Sequence, residues 1–432
     1  MMQEAFLHFI WQFGYFNRHN LFTTDGEPIQ ILHPGYLNTD AGPDFSQARI
    51  QIGQLEWVGN VEIHLNSADW QAHGHHLDEA YDHVILHVVW KHEQDIYRKD
   101  LTHIPTLVLA DKTSADLLTR YQYFTTNTEE IPCAAQFPEV KSLYKIQALE
   151  NALMQRLDRK AGFVKNLLQQ NKYDWEETTY QLLASNMGFK LNSEAFLQLA
   201  QAVPLKLLHK HSDQLLPMEA LLFGQAGFLD KAPADDYYKH LQKEYAFLAH
   251  KYNLQSAKLP SHLWKFLRLR PANFPTLRIA HLAALIQAHK NLFSLFIHTD
   301  SPKAFVQLLQ LQTSDYWRAH YTFGNPSSPA AVLGKESKEN ILINTVVPLM
   351  VCYAREKGND AYIDRALRLL EELPAENNRI TRIWKNLSLS IGHAYDAQGS
   401  IELYNQFCTH KKCLSCPVGV SLLKPATKKQ TD

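Results

Sequence analysis

Gly35–Trp90 reads GYLNTDAGPDFSQARIQIGQLEWVGNVEIHLNSADWQAHGHHLDEAYDHVILHVVW. Ala48, Ile50 and Ile52 alternate with Arg49 and Gln51, Gly53-Gln54 makes a turn, and Leu55, Trp57, Val61, Ile63 and Leu65 follow, which is the period of a β-hairpin. Val84–Trp90 is continuously apolar except for His87, as a strand buried on both faces would be. Between them Ala68–Tyr81 reads as a helix or a structured loop, with Gly74 weakening a helix by about 1 kcal/mol. Into this framework the stretch sets Asp40, Asp44, Glu62, Asp69, Asp78, Asp82 and histidines 64, 73, 75, 76, 83 and 87, a density of ligand groups that suggests a metal site.

Outward from it, Phe6, Phe9, Ile10 and Phe13 put one apolar stripe on a helix over residues 3–14. Strands are expected at Ile29–Leu32 and Thr106–Ala110, the first stopped by His33-Pro34-Gly35. Residues 125–141, TTNTEEIPCAAQFPEVK, carry no period. The chain then turns helical: Ile146, Leu149, Leu153 and Leu157 keep a 3.6-residue spacing, Asp174 and Glu177 form a capping box, and Pro204, Pro217, Pro271, Pro275 and Pro348 mark breaks. The expected class is α+β. A mixed α/β domain occupies 1–130, a linker 131–141, an all-α domain 142–406, a cysteine-rich segment 407–423, and a disordered polar tail 424–432.

The 432 residues carry 43 basic and 44 acidic side chains, so bulk charge argues for neither a nucleic-acid nor a membrane partner. The distribution is uneven, with 18 acids against 7 bases in residues 1–130 and a basic excess beyond. Five cysteines make no disulfide framework, the N-terminus is no signal peptide, and no apolar run reaches the roughly 20 residues of a membrane span. A cytoplasmic protein is expected, with no membrane partner and no dinucleotide cofactor; the oligomeric state is not legible.

NTDAGPDF at 38–45, GNVEIH at 59–64, DWQAHGHHLDEAYDHVILHVV at 69–89, RLRPANFPTLRIA at 268–280, INTVVP at 343–348 and CTHKKCLSCPVG at 408–419 together resemble the bacterial family known as domain of unknown function 2851. That likeness spans nearly the whole chain and brings no activity. Residues 1 to about 110 also resemble the restriction-endonuclease-like PD-(D/E)XK superfamily, whose core runs αβββαβ. Pro43-Asp44 and Glu62-Ile63-His64 fall where that superfamily places its motif, with His64 standing where lysine is usual.

The resemblance implies a divalent ion held by Asp44 and Glu62, hard oxygen ligands suited to Mg2+ or Mn2+. Glu62 and His64, two apart, share a strand face, so His64 could orient or deprotonate water or join the ligands. A plain two-residue turn pairs Ile52 with Leu55 and sets Asp44 opposite Ile63, on the face away from Glu62. The site therefore requires an irregularity: a bulge near Gly59-Asn60, a longer turn, or a bend at Gly42-Pro43. The blander reading has Asp40 and Asp44 binding turn amides, Glu62 solvated, His73, His75 and His76 in a hydrated loop, and His87 in the core.

Two further constellations stand out. Cys408, His410, Cys413 and Cys416 fit within nine residues and suit zinc, or an iron–sulfur cluster if Cys133 or Cys352 supplies a fourth thiolate; otherwise they are free thiols. Tyr245–Thr299 contains no acid, and its Lys265, Arg268, Arg270 and Arg278, interleaved with Trp264, Phe266 and Phe274, suit nucleic acid as well as they suit a helical core. Three functions are open at this point: a metal-dependent nuclease-like enzyme, a non-catalytic nucleic-acid-binding or scaffold protein with structural zinc, and a hydrolase using a histidine-rich metal site on another substrate. Glu219 and His320 look out of place without suggesting a role.

Overall fold

The computed structural model describes residues 2–232, 235–327 and 332–424, so the expected tail lies outside the described residues from 425 onward. The fold is α+β, with a mixed N-terminal sheet and a large helical C-terminal region. It divides into two units: Met1–Leu149 with Asn386–Leu389 and Leu403–Asp432, and Glu150–Lys385 with Ser390–Glu402. Among the described residues no helix is long and apolar enough to cross a membrane.

The first unit opens with helix α1 (Glu4–Phe13), which buries Phe6, Phe9 and Ile10 and ends at Gly14 in the left-handed conformation. Strands β1 (Leu21–Phe22), β2 (Pro28–His33), β3 (Tyr36–Leu37), β4 (Phe45–Ile52), β5 (Leu55–Asn66), β6 (Val84–Lys91) and β7 (Thr106–Val108) form one sheet in the order β1-β2-β4-β5-β6-β7, with β3 against β4. Pairing is antiparallel as far as β5, and parallel from β5 to β6 and β7. The Ala68–Tyr81 stretch divides into a short helix α2 (Asp69–Ala72) and two 3-10 turns, His75–Leu77 and Glu79–Tyr81, with Gly74 between them at φ 77°. Strands β1 and β3 are two residues long and leave no periodic signal, whereas helix α3 (Ala115–Thr126), capped by Ser114 and burying Leu117, Tyr121 and Phe124 at helical spacing, is an element absent from the sequence reading. Residues 131–141 do not behave as a loose linker: Ile131, Cys133, Phe137 and Val140 are buried.

The hairpin of β4 and β5 has the irregularity that the site requires. From Ile52↔Leu55 to Ala48↔Gly59 the ladder is regular, but the next pair is Phe45↔Val61. Ser46 and Gln47 thus oppose Asn60 alone, and Gln47 takes φ 57°. This β-bulge exchanges the faces of everything before it, so Asp44 continues the ladder opposite Glu62 rather than Ile63. It lies on the strand facing Gly59-Asn60, not in that dipeptide.

The second unit is helical and packs a single large core. Asp174 caps Trp175–Met187 through the Glu177 amide at 3.1 Å, as its spacing predicts. Pro348 does not break the chain. A π-helical turn at Leu342–Val346 carries Lys335–Ile341 into Val347–Lys357, and the Asn344 carbonyl, which a proline four residues on would leave unbonded, accepts the Asn186 amide at 2.9 Å. INTVVP is therefore a motif of helix geometry.

Glu219, at the centre of the apolar helix Leu215–Gln225, is fully buried; one oxygen accepts the Tyr237 hydroxyl, and the other has no hydrogen-bond partner among the described residues. Burial pushes its carboxyl up to about 7. The folded chain then holds this proton where the unfolded chain has released it. The contribution is intact below about pH 4.5 and disappears as pH rises through about 7, a loss of about 3 kcal/mol. Urea midpoints of the wild type should fall across that window relative to Glu219→Gln, whose side chain stays neutral. Parallel curves would mean that Glu219 does not titrate there.

Candidate metal centre

Strands deliver Glu62, His64 and His87, and the bends and turns beside them deliver Asp44, His73 and His75. The bulge turns Asp44 to the face where Glu62 and His64 project from β5. The Asp44 amide donates to Glu62 Oε2 at 3.1 Å, and the Ile63 amide donates to Asp44 Oδ2 at 2.9 Å. Each carboxylate thus fixes the backbone that carries the other. Glu62 is 4 % exposed and His64 1 %, so neither is a solvated sheet residue.

Parallel pairing aligns Glu62 with His87, which is fully buried on β6. His87 Nε2 lies 2.8 Å from His64 Nδ1, which leaves His64 Nε2 directed at Glu62 Oε1, 3.6 Å away, and at His73 Nδ1, 3.2 Å away. His87 thus orients His64 from behind. The turns after α2 bring His75 Nε2 to 3.4 Å from Glu62 Oε1, with its ring stacked on Tyr81. Ligand atoms of His64, His73 and His75 all lie within 4.8 Å of one another. The hydrated-loop reading therefore fails for His75; His73 stays exposed with its Nδ1 toward His64, and His76 lies outside the trio.

Helix α1 contributes what the sequence reading missed. His8 Nε2 stands 3.2 Å from Asp44 Oδ2, and the Glu4 carboxyl, one turn earlier, feels the charges of Asp44, His8 and His73. A signal was present: Glu4 and His8 are the polar pair, four apart, on a helix otherwise apolar along that side. Asp69 and Asp78 instead hold local amides, of Asn66 and Ala80, as turn acids do. Asp40 is exposed beside the Asn38 turn.

Burial first, and then the charge of Asp44, pushes the Glu62 carboxyl up to about 9. Burial, and then His75, His73 and His8, pushes the His64 imidazolium down to about 3. Glu4 is raised by burial and Asp44, and Tyr81 is raised to about 12 by burial and Glu62. Burial thus disfavours the charged forms of Glu62, His64 and His75, three oxygen and imidazole donors that share one small space.

In the second unit, Lys265, Arg268 and Arg270 are exposed. Arg278 corrects the expectation that it would contact phosphate. It is 2 % exposed, lies over the Phe189 ring and bonds Asn273 and Ser337, so its guanidinium is part of the packing. Trp264 is buried, donating to the Ala226 carbonyl at 2.8 Å, and offers no stacking face for a base. His320 stacks on Tyr316 and bonds its carbonyl.

Fold and site define an α+β protein with a carboxylate–histidine cluster on the bulged side of a mixed sheet. The family described as protein of unknown function (DUF2851) matches residues 4–379, and the chain belongs to it. No curated protein and no solved structure matches the chain.

Proposed function

We propose that this protein is a metal-dependent phosphodiesterase of the nuclease type, with Asp44, Glu62 and His64 at its centre and His73 and His75 beside them. The observation that carries the reading is the bulge at Ser46-Gln47, which puts Asp44 and Glu62 on one face where a plain hairpin would separate them. The succession of α1, the meander β2-β4-β5, α2 and β6 supports a restriction-endonuclease-like core. A divalent ion in such a site neutralises charge on the phosphoryl oxygens and makes water nucleophilic at neutral pH. Asp44 and Glu62 would hold the ion, and His64, locked by His87, would orient the water from the position usually given to lysine. With imidazoles beside the carboxylates, Mn2+ suits the donors better than Mg2+. The exposed Lys265, Arg268 and Arg270 are the candidate phosphate contacts.

The histidine trio also favours a second reading, a hydrolase with a softer ion and a substrate other than nucleic acid. The test is to incubate the full chain with single- and double-stranded DNA and RNA, in Mg2+ or Mn2+, with and without chelator. Cleavage that needs the ion and is strongest in Mn2+ is expected. No cleavage in any condition removes the nuclease reading; metal binding without cleavage then favours the second.

A further inference from the structure

The cysteine-rich segment is usually where a zinc knuckle would be sought, and its spacing nominates His410 as the fourth ligand. The structure gathers a different set. Cys133, Cys408, Cys413 and Cys416 line one cavity with Pro132, Phe407, Lys412 and Gly419. His410 is exposed and absent from that lining, and Cys352 lies in the core of the other unit. The free space it encloses is about 20 Å³.

We propose that Cys133, Cys408, Cys413 and Cys416 hold an iron–sulfur cluster. Three observations carry this beyond a group of thiols. First, the ligand set is four cysteines, the usual complement for such clusters. Second, the sulfurs are not drawn together as a zinc ion would draw them. Among the described residues, trios of ligand atoms within 4.8 Å of one another occur at His64–His73–His75 and at Asp25–Asp95–His103, and none is drawn from these four cysteines. Zinc at about 2.3 Å from each sulfur would bring them to about 3.8 Å from one another, whereas a cluster spreads its thiolates around several irons.

Third, the segment is shaped around the sulfurs. The Cys416 amide donates to the Cys413 carbonyl at 3.3 Å, closing the turn that carries both sulfurs. Gly419 approaches so closely that a Cβ there would lie 2.1 Å from the Cys413 carbonyl oxygen. The segment is held where it can meet Cys133, with Lys411 Nζ on the Thr125 carbonyl at 2.7 Å and Arg120 Nη1 on the Lys424 carbonyl at 3.1 Å. The role this gives the cluster is structural: it ties residue 133 to residues 408–416, and no electron transfer is needed for it.

The test is iron and acid-labile sulfide analysis, with visible absorption, of the full chain purified under argon or reconstituted with ferrous iron and sulfide. About two to four irons per chain with matching sulfide and broad visible absorbance are expected. Cys133→Ser should lose most of the iron, while His410→Ala and Cys352→Ser should keep it. Zinc at about one per chain with no iron, or no metal after reconstitution, overturns the proposal. Iron retained in Cys133→Ser overturns the assignment of that ligand. If Cys133→Ser does not fold, the wild-type analysis with the His410→Ala comparison still decides between cluster and zinc.

Discussion

Asp44→Ala and Glu62→Ala should each lower ion-dependent cleavage by at least about a thousandfold, or about 4 kcal/mol of transition-state stabilisation. On the proposal that both carboxylates hold one ion, the double variant should be little worse than either alone. The structure adds a distinction. Glu62→Ala also strips the Asp44 amide of its acceptor, and Asp44→Ala strips the Ile63 amide, so each should cost some stability. Glu62→Gln keeps an acceptor for the Asp44 amide and should fold like the wild type while losing the ion. Calorimetry with Mn2+ reads that loss directly. Wild-type Mn2+ affinity in Glu62→Gln would remove Glu62 from the site whatever the assay shows. His64→Ala should keep ion binding but lose most of the rate; equal loss of both would make it a ligand.

The largest stability effect is expected at Glu402. It is 2 % exposed at the end of the helix Ala394–Glu402, and it accepts from Arg156 Nη1 at 3.0 Å and from Arg159 Nη2 at 2.7 Å, both on the helix α4 (Ser142–Gln170). Gln398 and Asn344 extend the network to Arg156 and Lys160, and burial with the neighbouring Arg156 holds the Lys160 ammonium well below its ordinary range. Burial opposes the charge on Glu402, but hydrogen bonds from Arg159 and Arg156 outweigh it and hold the carboxyl below the usual range. Glu402→Ala leaves the buried Arg156 guanidinium without its ion-pair partner, with the Gln398 side-chain carbonyl oxygen and the charge of Glu376 as what remains beside it. The expected cost is about 3 kcal/mol, the lower end for a broken buried pair, because Arg159 can turn to solvent. Urea unfolding measures it; a shift below about 1 kcal/mol would mean that the network relaxes around the loss.

The sequence disclosed the parts of this protein that repeat with a period. Alternation in residues 48–52, the apolar Val84–Trp90 and the Asp174 cap survive as read, because each depends on neighbours a few residues away, whereas Leu55 and Trp57 at the start of β5 are exposed. What it concealed depends on distance in the chain or on a single dihedral angle. Nothing about Gln47 announces a left-handed residue, since glycine or asparagine would be the usual choice there; the need for a bulge could be stated, but not its strand. His75 and His8 reach Glu62 and Asp44 through folding, from a turn and from a helix. Cys133 looked like part of an unstructured linker for the same reason that Arg278 looked like a phosphate ligand: local composition does not record which face becomes interior.

The discontinuity of the first unit bears on how the chain comes into being. Its sheet is complete by residue 108, but its last pieces, Asn386–Leu389 and Leu403 onward, follow more than two hundred residues of helical unit. During synthesis the strands and α3 emerge early, while the partners of Thr125, Arg120 and Cys133 are still untranslated. The first unit to begin folding is thus the last to close. Through that interval its cysteine-bearing edge is uncovered to solvent or to chaperones, and a message cut short near its end would yield a sheet that is whole and a unit that is not.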